Sequence, residues 1–124
     1  MTEAQLTRKE LKRIQARWPS AWLWKINERI SSGKPDCLFI GARTTYVPVW
    51  AEMKRPTRMT QDPVSMVTKL QMRELRRLVS HWHIAFIVGF MPDGTQRVYQ
   101  VAAAGDPERL THATLCDALA AFGW

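Results

Sequence analysis

The sequence predicts an α/β domain in which a mixed central β-sheet is flanked by helices. Cys37–Ile40, residues 47–54 and Ile84–Phe90 have the length and the apolar or β-branched composition of buried strands. Residues 2–17 and 67–80 instead repeat their apolar side chains at helical intervals. The chain has 124 residues, enough for one domain with its own core and too few for two. We therefore predict one domain that spans the whole chain.

The first helix is expected to run from Thr2, a suitable N-cap, to about Arg17, with Pro19 ending it. One stripe of this helix is apolar and consists of Leu6, Leu11, Ile14 and Trp18. Glu3 and Glu10 both fall at the edge of that stripe, which is an unusual place for an acid. The simpler interpretation is dipole compensation by Glu3 and ordinary surface charge at Glu10.

Strands and polar connections follow the first helix. Residues 22–26 are a strand candidate, residues 27–34 a polar connection, and residues 41–46 a turn between the next two strands. Residues 54–65 form a basic, proline-containing loop that is long for a compact domain. Loops of this kind are commonly functional or mobile.

The second helix, predicted over residues 67–80, carries an amide where an apolar residue is expected. Its apolar face is formed by Val67, Leu75, Leu78 and Val79. Gln71 falls near the middle of that face, where an unsatisfied buried amide costs roughly 1–3 kcal/mol. The amide therefore needs a partner, either a loop carbonyl near the helix end or a group in a functional site.

The last third of the chain is expected to complete the sheet and the core. Ile84–Phe90 is apolar enough to be a central strand. Residues 92–95 form a turn, and residues 97–101 complete a hairpin. Residues 112–122 are predicted as a short amphipathic helix.

The chain is basic, with 18 Lys and Arg against 11 Asp and Glu and a net charge of +7. This balance favours a polyanionic partner, nucleic acid before membrane, although many small proteins are basic without binding DNA. No apolar run approaches a membrane span, and the polar N-terminus has no signal sequence, so we expect a cytoplasmic protein. Cys37 and Cys116 are expected to be buried free thiols, and the three histidines have no ligand-like spacing.

Charged side chains converge at one end of two neighbouring predicted strands. Asp36 directly precedes the strand Cys37–Ile40, and Glu52 and Lys54 end the next strand. Because side chains alternate along a strand, Glu52 and Lys54 share one side while Met53 points to the other. Burying two carboxylates and an ammonium is costly unless something pairs with them, and a divalent cation is the usual partner.

The ordered set of motifs resembles a family of nucleases. Pro35-Asp36 followed by Glu52-Met53-Lys54 resembles the PD-(D/E)XK superfamily. The resemblance narrows to the VRR-NUC family, in its short, stand-alone, phage-type form, through further motifs: Trp24-Lys25, Gly33-Lys34, Ala51 to Pro56 and Gln71. It covers roughly residues 3–90. The sequence departs from the family pattern in two places: Lys34 replaces the usual aliphatic residue before Pro35, and the loop after Lys54 is longer than typical. These departures affect the expected contacts with the substrate more than the expected catalytic chemistry.

The resemblance implies a restriction-endonuclease-like core and a structure-selective endodeoxyribonuclease that acts on branched DNA such as Holliday junctions. It also implies a homodimer, in the host cytoplasm if the chain is phage-encoded. Asp36 and Glu52 would hold the metal with the backbone carbonyl of Met53, a thin oxygen set that suits Mg²⁺ or Mn²⁺ better than zinc. The family implies one more glutamate from the first helix, for which the spacing favours Glu3 over Glu10 without deciding between them.

Lys54 would orient the attacking water or stabilise developing negative charge, and the resemblance implies that Gln71 reaches toward the active site. The basic side chains expected to contact DNA phosphates are Lys25, Lys34, Arg55, Arg58, Lys69, Arg73, Arg76 and Arg77. Each of them alone is equally consistent with a solvated surface charge. Most of the six tryptophans are expected in the core, and an exposed one can stack on a base or lie at a dimer interface.

Three alternatives remain open at this stage. The chain can be a flap or nicking nuclease on other forked DNA. It can be a non-catalytic DNA-binding subunit whose acids only pair with Lys54, and such a subunit would bind DNA without cutting it in Mn²⁺. It can also be an anti-host protein whose tryptophans bind the surface of a partner protein. That binding would be insensitive to salt, whereas DNA binding weakens steeply with salt.

Overall fold

The computed structural model describes residues 1–26, 33–41 and 47–124. Within these ranges the helices are α1 (Glu3–Arg17), α2 (Lys69–Ser80) and α3 (Leu115–Ala121), with a 3₁₀ turn at Val64–Met66. The strands are β1 (Trp22–Lys25), β2 (Cys37–Ile40), β3 (Val49–Lys54), β4 (Ile84–Phe90), β5 (Gln96–Gln100) and β6 (Glu108–Arg109).

The strands form one sheet in the order β1-β2-β3-β4-β5-β6. Strands β3 and β4 run parallel, and the other neighbouring pairs are antiparallel. A parallel pair needs a long crossover, and the connection from β3 to β4 supplies it and carries α2. The predicted α/β domain with a mixed central sheet is therefore confirmed, and β4 is an interior strand as expected.

Helices cover both faces of this sheet. The main core lies under α1 and α3 and includes the fully buried Ile14, Phe39, Met53, Phe86 and Leu119. A smaller cluster lies under α2 and consists of Leu75, Ala85, Ile87, Tyr99 and Val101. Because side chains alternate along β3, Met53 points into the main core while Glu52 and Lys54 point to the opposite face, which we call the α2 face.

Reciprocal capping hydrogen bonds decide where α1 and α2 begin. Thr2 accepts from the Gln5 amide at 3.2 Å, and the Gln5 side chain accepts from the Thr2 amide at 2.8 Å. Thr68 and Gln71 form the same pair of bonds, at 3.1 and 3.0 Å. Each arrangement satisfies two backbone donors that a helix start leaves unpaired. As a result α2 begins at Lys69, two residues later than predicted.

The remaining differences from the predicted elements are small. The sequence does not predict β6, since two residues carry no periodicity. The tail helix begins at Leu115 because Thr114 caps it through the Asp117 amide. Residues 27–32 of the polar connection and residues 42–46 of the predicted turn lie outside the described residues.

The long loop after β3 folds back against the sheet. Pro56 and Pro63 are buried, and Pro63 crosses β4 at Gly89. A Cβ atom on Gly89 would lie 2.3 Å from Cγ of Pro63, so the crossing requires a glycine there. The loop is thereby held close to the end of β3.

Both cysteines are free and buried, as predicted, and burial raises the pKa of the Cys37 thiol to about 12. The expectation that most tryptophans fill the core is wrong, because half of them are on the surface. Those that pack against the buried clusters are Trp18, Trp50 and Trp124. The exposed ones are Trp22, Trp24 and Trp82. None of the helices in the described ranges is long and apolar enough to cross a membrane.

Candidate active site

The start of β2 and the end of β3 bring Asp36 next to Glu52 and Met53. Cys37 lies opposite Ala51 in the antiparallel pair, so the register continued by one residue sets Asp36 opposite Glu52. Oδ2 of Asp36 accepts a hydrogen bond from the Met53 amide at 2.8 Å. This bond ties the aspartate to β3, at the end of the sheet where the sequence predicts a site.

Glu52 is a buried carboxylate with one unsatisfied oxygen. Its side chain is 1 % exposed, and its Oε1 lies 3.7 Å from Nζ of Lys54. Its Oε2 is buried without a hydrogen-bond partner among the residues that the structure describes. Burial, and after it the charge of Asp36, raises the pKa of Glu52 to about 8, while Lys54 acts in the opposite direction. Ionising this side chain is costly unless a cation in addition to Lys54 neutralises it.

The donor atoms around Asp36 suit a hard divalent cation. Asp36 and Glu52 contribute carboxylate oxygens, and the Met53 carbonyl points to the same side of β3 as the amide that Asp36 accepts from. Mg²⁺ and Mn²⁺ prefer such oxygen ligands and keep several waters. Across residues 1–26, 33–41 and 47–124, no three His, Cys, Asp or Glu side chains converge on a common metal position. The site therefore fits an ion that takes few protein ligands.

Lys54 is held between Glu52 and Gln71. Its Nζ donates to Oε1 of Gln71 at 3.2 Å and lies 3.7 Å from Oε1 of Glu52. The same Gln71 oxygen accepts from the Thr68 amide at 3.0 Å. The polar partner that the sequence predicts for Gln71 is thus present, and it includes a residue of the candidate site.

Sequence reasoning missed Thr68 as the residue that orients this amide. Thr68 is the N-cap of α2, and its reciprocal bonds with Gln71 fix the direction of the glutamine side chain. The spacing Thr68-x-x-Gln71 is itself a capping-box signature and could have revealed the arrangement.

The two glutamates of α1 have different surroundings. Glu3 is half-buried in the first turn of α1, on the side of the candidate site. Desolvation, and then the charge of Asp36, raises the pKa of Glu3, while Lys54 and Lys25 lower it. This electrostatic contact with both Asp36 and Lys54 places Glu3 beside the site.

Glu10 belongs to a separate network inside the protein. Its side chain is 2 % exposed, and Oε1 accepts from Nε2 of Gln96 at 3.0 Å and pairs with Nη1 of Arg13 at 3.0 Å. Oε2 accepts from the Cys116 amide at 3.1 Å. Glu10 is therefore not a surface charge but part of a buried network, whereas Glu3 is the acid of α1 whose pKa responds to Asp36.

The basic side chains predicted to contact DNA do not behave as one set. The exposed ones are Lys34, Arg55, Arg58, Lys69, Arg73 and Arg77. Lys25 is half-buried on β1, near Glu3. Arg76 is half-buried and donates from Nη2 to the Gly105 carbonyl at 3.0 Å. Arg76 therefore fastens α2 to the loop after β5, and the structure separates it from the exposed basic side chains.

The histidine that contacts the sheet, His83, has a structural role. Nδ1 of His83 accepts from Nε1 of Trp50 at 2.9 Å, and the two rings lie nearly parallel, with an interplanar angle of 3°. This pair joins the turn before β4 to the beginning of β3. It lies at the opposite end of β3 from Lys54.

Comparison with known proteins supports the fold. No family model matches this sequence, and no curated protein matches it significantly. Among solved structures, the chain is similar to a Holliday junction resolvase, Hjc from the archaeal hyperthermophile Archaeoglobus fulgidus. The two structures superimpose with a TM-score of 0.54 at 13 % sequence identity. The match covers 91 % of this chain and 92 % of the resolvase chain.

At 13 % identity, the likeness to the resolvase establishes the fold alone. It confirms the restriction-endonuclease-like core that the motif resemblance implies, with a mixed sheet and flanking helices. The narrower assignment to the VRR-NUC family stays a prediction, because no family model matches.

Proposed function

We propose that this protein is a divalent-metal-dependent endodeoxyribonuclease that cuts branched DNA, with Holliday junctions as its substrate. The observation that carries the proposal is the buried Glu52 carboxylate, which has an unsatisfied oxygen and lies beside Asp36 and Lys54. The net charge of +7 supports a nucleic-acid substrate. The likeness to a resolvase supports the branched form of that substrate.

Asp36, Glu52 and the Met53 carbonyl would hold Mg²⁺ or Mn²⁺. When bound, such an ion neutralises charge on the phosphate and lowers the pKa of a coordinated water. The Met53 amide orients Asp36 through its 2.8 Å bond, so one residue of β3 both positions an acid and offers its carbonyl. Glu3 would add negative charge near Asp36 without being a direct ligand, because within the described part of the chain Asp36, Glu52 and Glu3 do not converge on one metal position.

Lys54 would orient the attacking water or stabilise the charge that develops during hydrolysis. The reaction forms a bond from the water oxygen to phosphorus and breaks the bond to the leaving sugar oxygen, which takes up a proton. A positioned ammonium stabilises negative charge where it develops. Gln71 holds the Lys54 ammonium in place, and Thr68 holds the Gln71 amide.

Exposed cations would guide the DNA backbone along α2. Lys69, Arg73 and Arg77 are spaced four residues apart, so they form one stripe of about 12 Å on the helix surface. Gln71 lies in the first turn of the same helix and reaches Lys54. The stripe starts at the same turn, on the outer side of α2, because Lys69 and Gln71 are two residues apart. Arg55 follows Lys54 directly and is exposed as well.

Neutralising this stripe should reduce the salt dependence of DNA binding. Each phosphate contact contributes about 0.9 to the slope of log K against log salt concentration. We expect the variant K69Q/R73Q/R77Q to lose up to about three units of that slope. The measurement is a titration of labelled junction DNA in EDTA at several salt concentrations.

The matched control removes three exposed cations from α1, which covers the other face of the sheet. Arg8, Lys9 and Lys12 are exposed there, and R8Q/K9Q/K12Q changes the net charge by the same amount. Equal losses of slope in the two triple variants would show that the α2 stripe is not the DNA path.

The proposed activity is tested with labelled four-way, flap and linear duplex DNA, with and without Mg²⁺ or Mn²⁺. We expect metal-dependent cutting of the four-way junction with little sequence preference. Two symmetric cuts need two active sites, so we also expect a homodimer by sedimentation. Faster cutting of flaps would point to the flap or nicking alternative. Binding without cutting in Mn²⁺ would point to a non-catalytic subunit.

A further inference from the structure

The α2 face of the sheet extends onto β1 and β2, where it presents two exposed tryptophans. Trp22 lies opposite Ile40, and Trp24 lies opposite Leu38. Leu23, between the tryptophans, packs against the main core, so both indoles point to the α2 face. Their exposed fractions are 51 % and 52 %. We call Trp22, Trp24, Leu38 and Ile40 the tryptophan platform.

The platform is ordered by its own contacts and by the sheet beneath it. The rings of Trp22 and Trp24 meet edge to face, with centroids 5.6 Å apart. Trp50 lies on β3 opposite Leu38 and borders the platform. It donates a hydrogen bond to His83 and packs against the cluster under α2. Trp22 and Trp24 differ from Trp50 in leaving about half of their surface in water. Exposed aromatic surface of this kind commonly marks a binding site.

The platform lies on the face that carries the candidate catalytic side chains. Glu52 and Lys54 project from β3 to the α2 face. Trp24 is level with Trp50, two strands across and two residues along from Glu52, so it lies about 12 Å from Glu52, and Trp22 is two residues further from the site. Stacked nucleotides advance about 3.4 Å each, so a strand with its phosphate at Glu52 would bring a base about three nucleotides away over Trp24. Lys25, next to Trp24, is close to Glu3 and joins this end of β1 to the site.

We propose that Trp24, together with Trp22, stacks on unpaired bases beside the branch point and so makes the protein selective for branched DNA. This inference rests on the proposed function. An indole can stack on any base, because every base has a π-face. Bases inside a linear duplex already stack on each other, whereas those at a branch point can be splayed out. A second copy of the chain docked on the platform would cover the face of Glu52 and Lys54, so the location favours DNA as the occupant.

The test compares binding of a four-way junction and a linear duplex in EDTA, where nothing is cut. Loss of one base–aromatic stack costs about 1–3 kcal/mol, which is roughly 5- to 150-fold in Kd. We expect W24A and W22A/W24A to lose this much affinity for the junction and little for the duplex. W24F keeps a ring and should retain most of the junction affinity.

Trp82 provides the matched control, because it is 90 % exposed and precedes β4, which lies three strands away from β1 across the sheet. W82A should bind the junction as the unsubstituted protein does. A 2-aminopurine placed near the branch point gives a direct readout of stacking. Its fluorescence should fall on binding the unsubstituted protein and should fall less on binding W24A.

Several outcomes would overturn the platform. They are unchanged junction affinity in W22A/W24A, equal losses for junction and duplex, and conversion of a dimer to a monomer in sedimentation. The last outcome would identify the platform as a protein interface. If the protein cuts no DNA but binds junctions through Trp24, the proposed nuclease function fails and the platform stands. If it cuts junctions and the tryptophan variants behave normally, only the platform fails.

Discussion

Asp36→Asn and Lys54→Ala are expected to abolish cutting of branched DNA while leaving DNA binding intact. Removing one donor aimed at developing charge typically costs about 10²–10³-fold in rate, so K54A should lose at least this much. D36N should lose as much or more, because it removes the central carboxylate of the proposed metal site. The measurement is single-turnover cleavage of a labelled four-way junction in saturating Mg²⁺.

Both variants should fold, which separates lost chemistry from lost structure. An asparagine oxygen at position 36 can still accept the Met53 amide bond. In K54A, Gln71 keeps its capping bonds with Thr68. Junction affinity in EDTA should therefore stay close to that of the unsubstituted protein, and so should the thermal midpoint of D36N. K54A removes the cation beside Glu52, so its midpoint should match at acidic pH, where Glu52 is protonated. Persistent cutting by both variants would remove the proposed mechanism.

Glu52→Gln is expected to stabilise the metal-free protein while abolishing its activity. The pKa of Glu52 is raised from 4.5 to about 8 in the folded protein, mainly by burial. The folded state therefore binds the proton more tightly than the unfolded chain, and stability is lost as pH rises through this interval. A glutamine has no charge to bury, so E52Q escapes that loss.

The stability difference between E52Q and the unsubstituted protein should depend on pH. It should be small below pH 4.5, where both side chains are neutral, and should grow up to about pH 8. Each kcal/mol raises Tm by roughly 2–8 °C for a domain of this size, so thermal melts in EDTA can resolve it. Adding Mg²⁺ should stabilise the unsubstituted protein more than E52Q, because the ion pairs with the buried carboxylate.

Glu10→Gln is the matched control, because Glu10 is the other buried glutamate. Its oxygens already accept from Gln96 and the Cys116 amide and pair with Arg13. Removing its charge breaks a satisfied network, so E10Q should lower Tm where E52Q raises it. The same chemical change thus has opposite signs at two equally buried positions. A destabilised E52Q in EDTA would show that Glu52 is not held in an unfavourable ionised state.

Much of the candidate site follows from local features of the sequence. Cys37–Ile40 and the run before Lys54 have strand composition, and the alternation of side chains sets Glu52 and Lys54 on one face. Once the two strands are neighbours, Asp36 must approach Glu52. The partner of Gln71 is less accessible to this reasoning, because its contact with Lys54 depends on how α2 crosses the sheet.

Other residues were misjudged because their partners lie far away in the chain. Glu10 lies at the edge of the apolar stripe of its helix, where surface charge was the simpler interpretation, and it is buried by contacts with Gln96 and with Cys116, 106 residues later. Arg76 lies on the same helix as the basic stripe, yet its guanidinium donates a hydrogen bond to the Gly105 carbonyl instead of facing solvent with the stripe. Helical periodicity describes which face a residue takes and cannot say what covers that face.

The five longer strands, the start of the first helix and the approach of Asp36 to Glu52 and Lys54 follow from the sequence, because apolar periodicity, capping spacing and side-chain alternation are properties of neighbouring residues. Only the tertiary structure decided that Glu3 rather than Glu10 lies beside Asp36, and that Trp22 and Trp24 are exposed on the face of Glu52 and Lys54. Burial and charge environment depend on which distant elements pack together, and no local pattern encodes that packing.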